Sequence, residues 1–105
     1  MEVLHMEIEL NINGETKKFT RTKSLSLADT LLALELQLKQ QKRAEKESET
    51  AKDLKDNLSD ICEFLSKFFD NQFSLKEAYE GLDPKNIVTV NGLVEKALGG
   101  EDENL

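Results

Sequence analysis

Residues 6–22, MEIELNINGETKKFTRT, decide the fold class of this chain. The first half alternates polar residues with apolar ones at Met6, Ile8, Leu10 and Ile12. That alternation is the two-residue period of a half-buried β-strand. The pair Asn13-Gly14 follows, and it suits the positive φ angles of a two-residue hairpin turn. The stretch therefore predicts a β-hairpin over residues 6–23.

The turn also predicts the register of the hairpin. A two-residue loop places Ile8 opposite Phe19, which puts this phenylalanine on the apolar face. The same register pairs Leu10 with Lys17 and Ile12 with Glu15. Because an isolated hairpin is only marginally stable in water, we expect it to pack on helices or to pair with another chain.

Leucines at helical spacing follow the hairpin. Ser26 and Asp29 form a capping box at the predicted start of this first helix. The spacing is typical of an amphipathic helix, which packs its apolar face on a core. The apolar stripe consists of Leu27, Leu31, Leu34 and Leu38, widened by Ala28 and Leu32.

The stretch 39–53, KQQKRAEKESETAKD, separates the first helix from the second. Its only apolar residues are alanines, and it is predicted to be a solvated helix or a frayed helical linker. Periodicity returns at Leu54 and predicts a strongly amphipathic helix that ends near Asn71. The stripe of this second helix consists of Leu54, Leu58, Ile61, Leu65 and Phe68.

Two shorter helices complete the chain. Ser74 and Glu77 form a capping box for the first of them, and Gly81 stands where a C-terminal cap belongs. Asp83-Pro84 starts the last helix, which Gly99-Gly100 ends.

The predicted fold class is α+β and mostly α-helical, with an N-terminal β-hairpin followed by three to four helices. We expect a single domain over residues 6–98. A flexible N-terminus is expected at 1–5 and a flexible acidic tail at 99–105.

Composition favours some partners over others. The chain has 105 residues and a net charge of −7, from 14 basic and 21 acidic residues. This balance disfavours binding to nucleic acid or to anionic membranes, both of which need an excess of Lys and Arg. It suits a basic or apolar protein partner. The sequence has neither a signal-peptide pattern nor an apolar run of about 18 residues, so we expect a cytoplasmic protein.

Residues for catalysis are scarce. The only histidine is His5, near the start of the chain, and the only cysteine is Cys62, which we expect to be a small apolar core residue. No glycine-rich phosphate loop is present. We therefore expect no enzymatic activity, no bound metal and no cofactor.

The segment 68–82, FFDNQFSLKEAYEGL, holds four of the six aromatic residues. These aromatic residues either build the core or are partly reserved for a partner. Phe68 continues the stripe of the second helix, whereas Phe69 points about 100° away from it on a helix. Our candidate partner-binding residues are therefore Phe69, Phe73, Leu75 and Tyr79. If Phe69 belongs to the core, the helix from Leu27 to Leu38 is the next candidate surface.

Together, the hairpin stretch and this aromatic segment resemble the tail assembly chaperones of long-tailed bacteriophages that infect Gram-positive hosts. Phe69, Asn71, Gln72 and Phe73 match the Phe-Gly-Asn-Gln-Phe-Thr pattern of that family, and Gly81-Leu82 closes the segment. Asp70 and Ser74 depart from the pattern.

The resemblance implies a function in assembly. It implies a small acidic protein of the host cytoplasm that binds the helical tape-measure protein, helps to recruit tail-tube subunits and is absent from the mature virion. Self-association is left open. An alternative function is that of a small acidic regulator, such as a DNA-mimicking inhibitor that binds a basic partner. The interleaved acids and bases of residues 39–56 argue against such a mimic.

Overall fold

The computed structural model of the chain describes residues 6–46 and 50–100. A β-hairpin comes first, followed by four α-helices, and one turn of 3₁₀-helix (Pro84–Asn86) precedes the last of them. The elements are β1 (Met6–Ile12), β2 (Glu15–Arg21), α1 (Leu27–Ala44), α2 (Ala51–Phe68), α3 (Leu75–Gly81) and α4 (Ile87–Ala97). The predicted fold class is confirmed. The predicted flexible N-terminus, residues 1–5, lies outside the described residues, as do residues 101–105 of the predicted acidic tail.

The hairpin has the predicted turn and register. Ile8 pairs with Phe19 and Leu10 with Lys17 in an antiparallel ladder. Asn13 and Gly14 have φ angles of 54° and 81°, as a two-residue turn of this hand requires. Alternate residues of β1 are buried in the core, while β2 is exposed except near its end.

Close backbone contact joins the hairpin to α3. A bridge pairs Leu10 with Leu82, just beyond the end of α3. A Cβ atom on Gly81 would lie 2.5 Å from the carbonyl oxygen of Asn11. Gly81 is the last residue of α3 rather than a left-handed cap, and Leu82 takes the cap position. The prediction that Gly81 is the C-terminal cap is wrong, although α3 does end at this residue, and the glycine is needed instead for the close approach of β1.

The two long helices, α1 and α2, pack on each other and begin at capping boxes. Ser26 and Asp29 cap α1 as predicted. A second box, formed by Thr50 and Asp53, starts α2 at Ala51, one turn before the apolar periodicity returns. The polar stretch 39–53 therefore divides between the end of α1 and the start of α2, and residues 47–49 lie outside the described part.

The packed face of α1 is not the leucine stripe. Asp29, Ala33 and Leu36 are its buried residues. The four leucines of the stripe, Leu27, Leu31, Leu34 and Leu38, expose between 50% and 84% of their surface. They lie on the side of α1 opposite to the contacts with α2 and α4, because positions 29, 33 and 36 are about half a turn away from them. The expectation that this stripe packs on the core is wrong.

Helix α2 ends slightly earlier than predicted, at Phe68, and Phe69 is its cap. The next two residues, Asp70 and Asn71, have φ angles of 58° and 61°. This left-handed turn reverses the chain, and the N–H of Asn71 donates to the carbonyl oxygen of Ser66 at 2.8 Å. Short polar residues such as Asp and Asn tolerate this conformation better than other non-glycine residues do.

The predicted N-terminal caps at Ser74 and Asp83 are both present, but Asp83 caps a 3₁₀ turn, and α4 itself begins later, at Ile87. Ser74 and Glu77 form the capping box of α3. Asp83 accepts a hydrogen bond from the N–H of Lys85, with Pro84 as the first residue of the 3₁₀ turn that leads into α4.

Arg21 connects three parts of the fold and is almost fully buried. Its guanidinium binds both carboxylate oxygens of Asp29, each at 2.7 Å, and stacks over the Phe68 ring at 4.5 Å. It also donates to the carbonyl oxygens of Phe68, Lys23 and Ser24. All five N–H donors of Arg21 are therefore used, which meets the condition for burying a charge.

Candidate partner-binding surfaces

The aromatic segment contributes mainly to the core. Phe69 is 0% exposed and Phe73 is 2% exposed. The five phenylalanines of the chain form a continuous series of ring contacts, with centroids 4.8 to 5.8 Å apart, in the order Phe64, Phe68, Phe69, Phe73, Phe19. The prediction that Phe69 edges a surface is wrong, and Phe73 is buried as well.

The burial of Phe69 has a physical cause. A helix that packs against the core on one side only can bury just one of two adjacent phenylalanines, because neighbouring side chains point about 100° apart. Here the chain reverses directly after Phe69, and the ring of Phe73 packs on that of Phe69 from the returning segment. The Phe73 ring also contacts Phe19, so it connects Phe69 to the hairpin.

The other two candidate residues lie at the surface on α3. Tyr79 is 43% exposed, and Leu75 is 38% exposed. They are four residues apart and therefore share one face of this helix. Their role in partner binding stays a prediction.

Tyr79 forms one wall of an apolar groove between α2, α3 and the segment that leads into α4. The groove has a volume of about 440 Å³. Its lining residues are Leu58, Ile61, Cys62, Ala78, Tyr79, Leu82, Pro84 and Ile87. Leu54 lies one turn before Leu58 on α2, so it extends the apolar wall beyond the groove. We call this surface the apolar groove.

The apolar groove exists because α2 is longer than the elements that cover it. The stripe of α2 is buried at Leu65 and Phe68 but exposed at Leu54 and Leu58. Sequence periodicity predicted the stripe as one face and could not show where its cover ends.

Cys62 lies at the floor of the apolar groove and is buried. Burial raises the pKa of its thiol above the usual value. A neutral thiol behaves as a small apolar side chain, which agrees with the expectation from the sequence.

The leucine stripe of α1 forms a second exposed apolar surface. We call Leu27, Leu31, Leu34 and Leu38 the leucine seam. Successive members are four, three and four residues apart, so all four point the same way from the helix. The sequence showed this spacing, but it could not show that α1 buries its opposite face.

Charged residues pair with one another along α1 and α2. Lys39 lies 3.8 Å from both Asp60 and Glu63, and Arg43 also binds Asp60. Lys46 bonds to Asp53 at 2.8 Å. The ammonium of Lys46 and the capping contacts of Thr50 lower the pKa of the Asp53 carboxyl to about 2. Many acids of this region are therefore neutralised locally.

The structure brings no ligand cluster together in the part of the chain that it describes. Within residues 6–46 and 50–100, no group of three or more His, Cys, Asp or Glu side chains could hold a metal ion. The helices of the described segments include none long and apolar enough to cross a bilayer.

Comparison with protein-family models matches residues 4–105 to the family described as "Phage tail chaperone protein". The chain belongs to the phage tail chaperone family. The match spans nearly the whole chain, so the resemblance found in the hairpin and the aromatic segment is confirmed. Neither the comparison with curated proteins nor the comparison with solved structures finds a match.

Membership of the tail chaperone family indicates the general kind of function. It implies partners among phage tail proteins, and it suggests a role in binding rather than in catalysis. The two exposed surfaces, the apolar groove and the leucine seam, are where the geometry of this tail chaperone offers such binding.

Proposed function

We propose that this tail chaperone keeps the tape-measure protein soluble in the host cytoplasm and helps to recruit tail-tube subunits around it. In this proposal the chaperone binds a helix of the tape-measure protein and is not retained in the mature virion. Family membership supports the general role. The more specific part of the proposal, binding of a tape-measure helix, rests on the exposed apolar groove beside Tyr79.

The shape and chemistry of the apolar groove suit an amphipathic helix. Such a helix places three or four apolar side chains into a groove from positions i, i+3, i+4 and i+7. The floor of this groove is apolar, and Leu58 and Tyr79 are partly exposed along its walls. Tyrosine supplies a large apolar ring with a polar end, and it is enriched among residues that dominate binding energies. Leu75 extends the same face of α3.

An acidic regulator that mimics DNA is supported less well. A mimic needs unpaired carboxylates, whereas Asp53, Asp56 and Asp60 each pair with a lysine or arginine. Burial of apolar surface, rather than charge, is therefore the proposed source of affinity.

The test is co-purification of the chain with the tape-measure protein of its own phage. We expect Leu58→Ser combined with Tyr79→Ser to weaken this binding at least tenfold, which corresponds to about 1.4 kcal/mol. The matched control is Val88→Ser on α4, an exposed apolar residue outside the groove lining, which should leave binding through the groove unchanged. Circular dichroism of both variants checks that the fold is retained.

Salt provides a second measurement. Affinity that comes from an apolar groove should change little between low and high ionic strength, because salt screens charges and not apolar contacts. Absence of tape-measure binding by the wild-type chain would refute the proposed function. A steep loss of affinity with salt would instead favour the charge-driven alternative.

A further inference from the structure

The leucine seam lies outside the hydrophobic core of the single chain. Its four side chains lie opposite the face of α1 that contains the buried residues Ala33 and Leu36. Four exposed leucines on one helix make a contiguous apolar patch, and such patches on soluble proteins mark interaction sites. The hairpin, α2, α3 and α4 leave this patch open.

The spacing of the leucine seam is that of a helix–helix interface. Intervals of four, three and four residues correspond to alternating d and a positions over almost two heptads. A partner that fills such a seam is another helix with apolar residues at the same spacing. Within the described chain, α1 itself has such a face exposed.

We propose that a second copy of this chain covers the leucine seam, with the two α1 helices antiparallel. In this register Leu27 packs on Leu38 of the second copy, and Leu31 packs on Leu34 of the second copy. One two-fold axis generates all four layers, so every leucine of one chain meets a leucine of the other. The interface is then self-complementary, as a two-fold dimer requires.

Charge near the leucine seam is compatible with self-association of an acidic chain. The residues that flank the leucines on α1 are Ala28, Thr30, Glu35, Gln37, Gln41 and Lys42. These six residues carry one acid and one base, so their formal charges cancel, and Glu45 at the end of the seam adds a single negative charge, against −7 for the whole chain. The α1 face can therefore approach its copy without the repulsion that the net charge would cause elsewhere.

The end of α1 favours the antiparallel orientation. Gln41 and Glu45 continue the line of the leucine seam at the next three-residue and four-residue intervals. In a parallel pair each residue meets its own counterpart, so two Glu45 carboxylates would face each other. In the antiparallel register the polar last turn lies beyond the leucines of the other copy, and this repulsion is absent.

The seam is short, since 12 residues of helix span about 18 Å. A free helix of that length is marginally stable in water. Here the fold already orders α1, so association does not have to form the helix. The dimer also leaves both apolar grooves open, because the leucine seam faces away from α2 and α4. This last step rests on the proposed function: if the groove binds the tape-measure protein, two grooves of one dimer would bind a long helical partner more tightly than one groove does.

The first experiment measures the mass of the full-length chain by light scattering over a range of concentrations. We expect the wild type to reach twice the mass of one chain, and Leu31→Ser with Leu34→Ser to remain at the mass of one. The matched control is Leu54→Ser with Val88→Ser, which changes two exposed apolar residues outside the seam. The control should dimerise as the wild type does.

The second experiment tests the orientation by disulfide cross-linking in a Cys62→Ala background. We expect an equal mixture of Leu27→Cys and Leu38→Cys chains to form a mixed disulfide. Leu27→Cys alone should form none, because the two copies of residue 27 lie about 16 Å apart along the helices, at 1.5 Å per residue. A disulfide formed by Leu27→Cys alone would overturn the antiparallel register.

Two other results would overturn the proposal. One is a wild-type chain that stays monomeric at all concentrations, and the other is an oligomer that the seam substitutions leave intact. If the wild type is monomeric and the seam substitutions abolish tape-measure binding, the client occupies the seam. That outcome removes the self-association but leaves the chaperone function standing.

Discussion

At the scale of single residues, Phe69 shows how a local backbone conformation redirects a side chain. On a continuing helix it would lie about 100° from Phe68 and outside the apolar stripe. Because the left-handed residues Asp70 and Asn71 follow, the chain turns back and encloses its ring. Phe68, Phe69 and Phe73 then share one core, and of the four aromatic side chains of the segment only that of Tyr79 remains at the surface.

We expect Phe69→Ala to destabilise the fold by about 3–5 kcal/mol, as emptying a buried phenylalanine site does. Phe68→Ala should cost a similar amount. Tyr79→Ala is the control, and we expect it to cost about 1 kcal/mol or less, since this side chain is partly exposed. Chemical denaturation of the three variants provides the measurement. A Phe69→Ala variant as stable as Tyr79→Ala would contradict the enclosed ring.

At the scale of elements, the contact between β1 and α3 depends on one missing side chain. Gly81 lies so close to Asn11 that a Cβ atom would overlap its carbonyl oxygen. The backbone bridge between Leu10 and Leu82 follows directly from this approach. The hairpin, which is too small to be stable alone, is thereby fixed to the helices.

Gly81→Ala should therefore destabilise the protein by about 1–3 kcal/mol, the usual cost of forcing extra atoms into a packed site. Gly92→Ala is the matched control with the opposite expected sign. Gly92 lies inside α4 with open space around it, so alanine should stabilise the helix by up to about 1 kcal/mol. Thermal melting of both variants checks the pair. Equal and small shifts would mean that β1 can move away from α3 without cost.

Local sequence signals predicted the elements well because each depends on a few neighbouring residues. The Asn13-Gly14 turn fixed the register of the hairpin, and the capping boxes at Ser26 and Ser74 marked the starts of two helices. The box at Thr50 had the same signal, Asp three residues later, but it lay inside a polar stretch without apolar periodicity.

Properties that depend on distant residues were not predictable in the same way. Two stripes of α1 are apolar enough to pack, and only the placement of α2 and α4 decides that Ala33 and Leu36 are buried. The burial of Arg21 likewise requires Asp29 and the carbonyl oxygen of Phe68 to converge from different elements. Periodicity carries no information about such a convergence. It named the helix from Leu27 to Leu38 as the second candidate surface, but only the structure shows that these leucines are exposed.

At the scale of the whole molecule, Arg21 and Asp29 join the hairpin, α1 and the end of α2. Removing one partner of a buried ion pair leaves an uncompensated charge, which costs about 3–5 kcal/mol. The hydrogen bonds from Arg21 hold the pKa of the Asp29 carboxyl below its usual value. The stabilisation from this pair is therefore complete above the unfolded-state pKa of about 3.9, and it is lost as the pH falls through the lower folded-state pKa.

We expect Asp29→Asn to lose about 3–5 kcal/mol of unfolding free energy at pH 7. The difference from the wild type should shrink as the pH falls below about 4, because Asp29 of the unfolded wild-type chain is protonated there first and Asp29 of the folded chain only at its lower pKa. Asp70→Asn is the matched control, since it breaks an exposed pair with Lys23 and should cost less than about 1 kcal/mol. Denaturation of all three proteins across the acid range is the measurement. Asp53 also titrates at low pH, but it is present in every variant and cancels in the comparison. A deficit of Asp29→Asn that stays constant down to pH 2 would show that the Asp29 charge does not stabilise the fold.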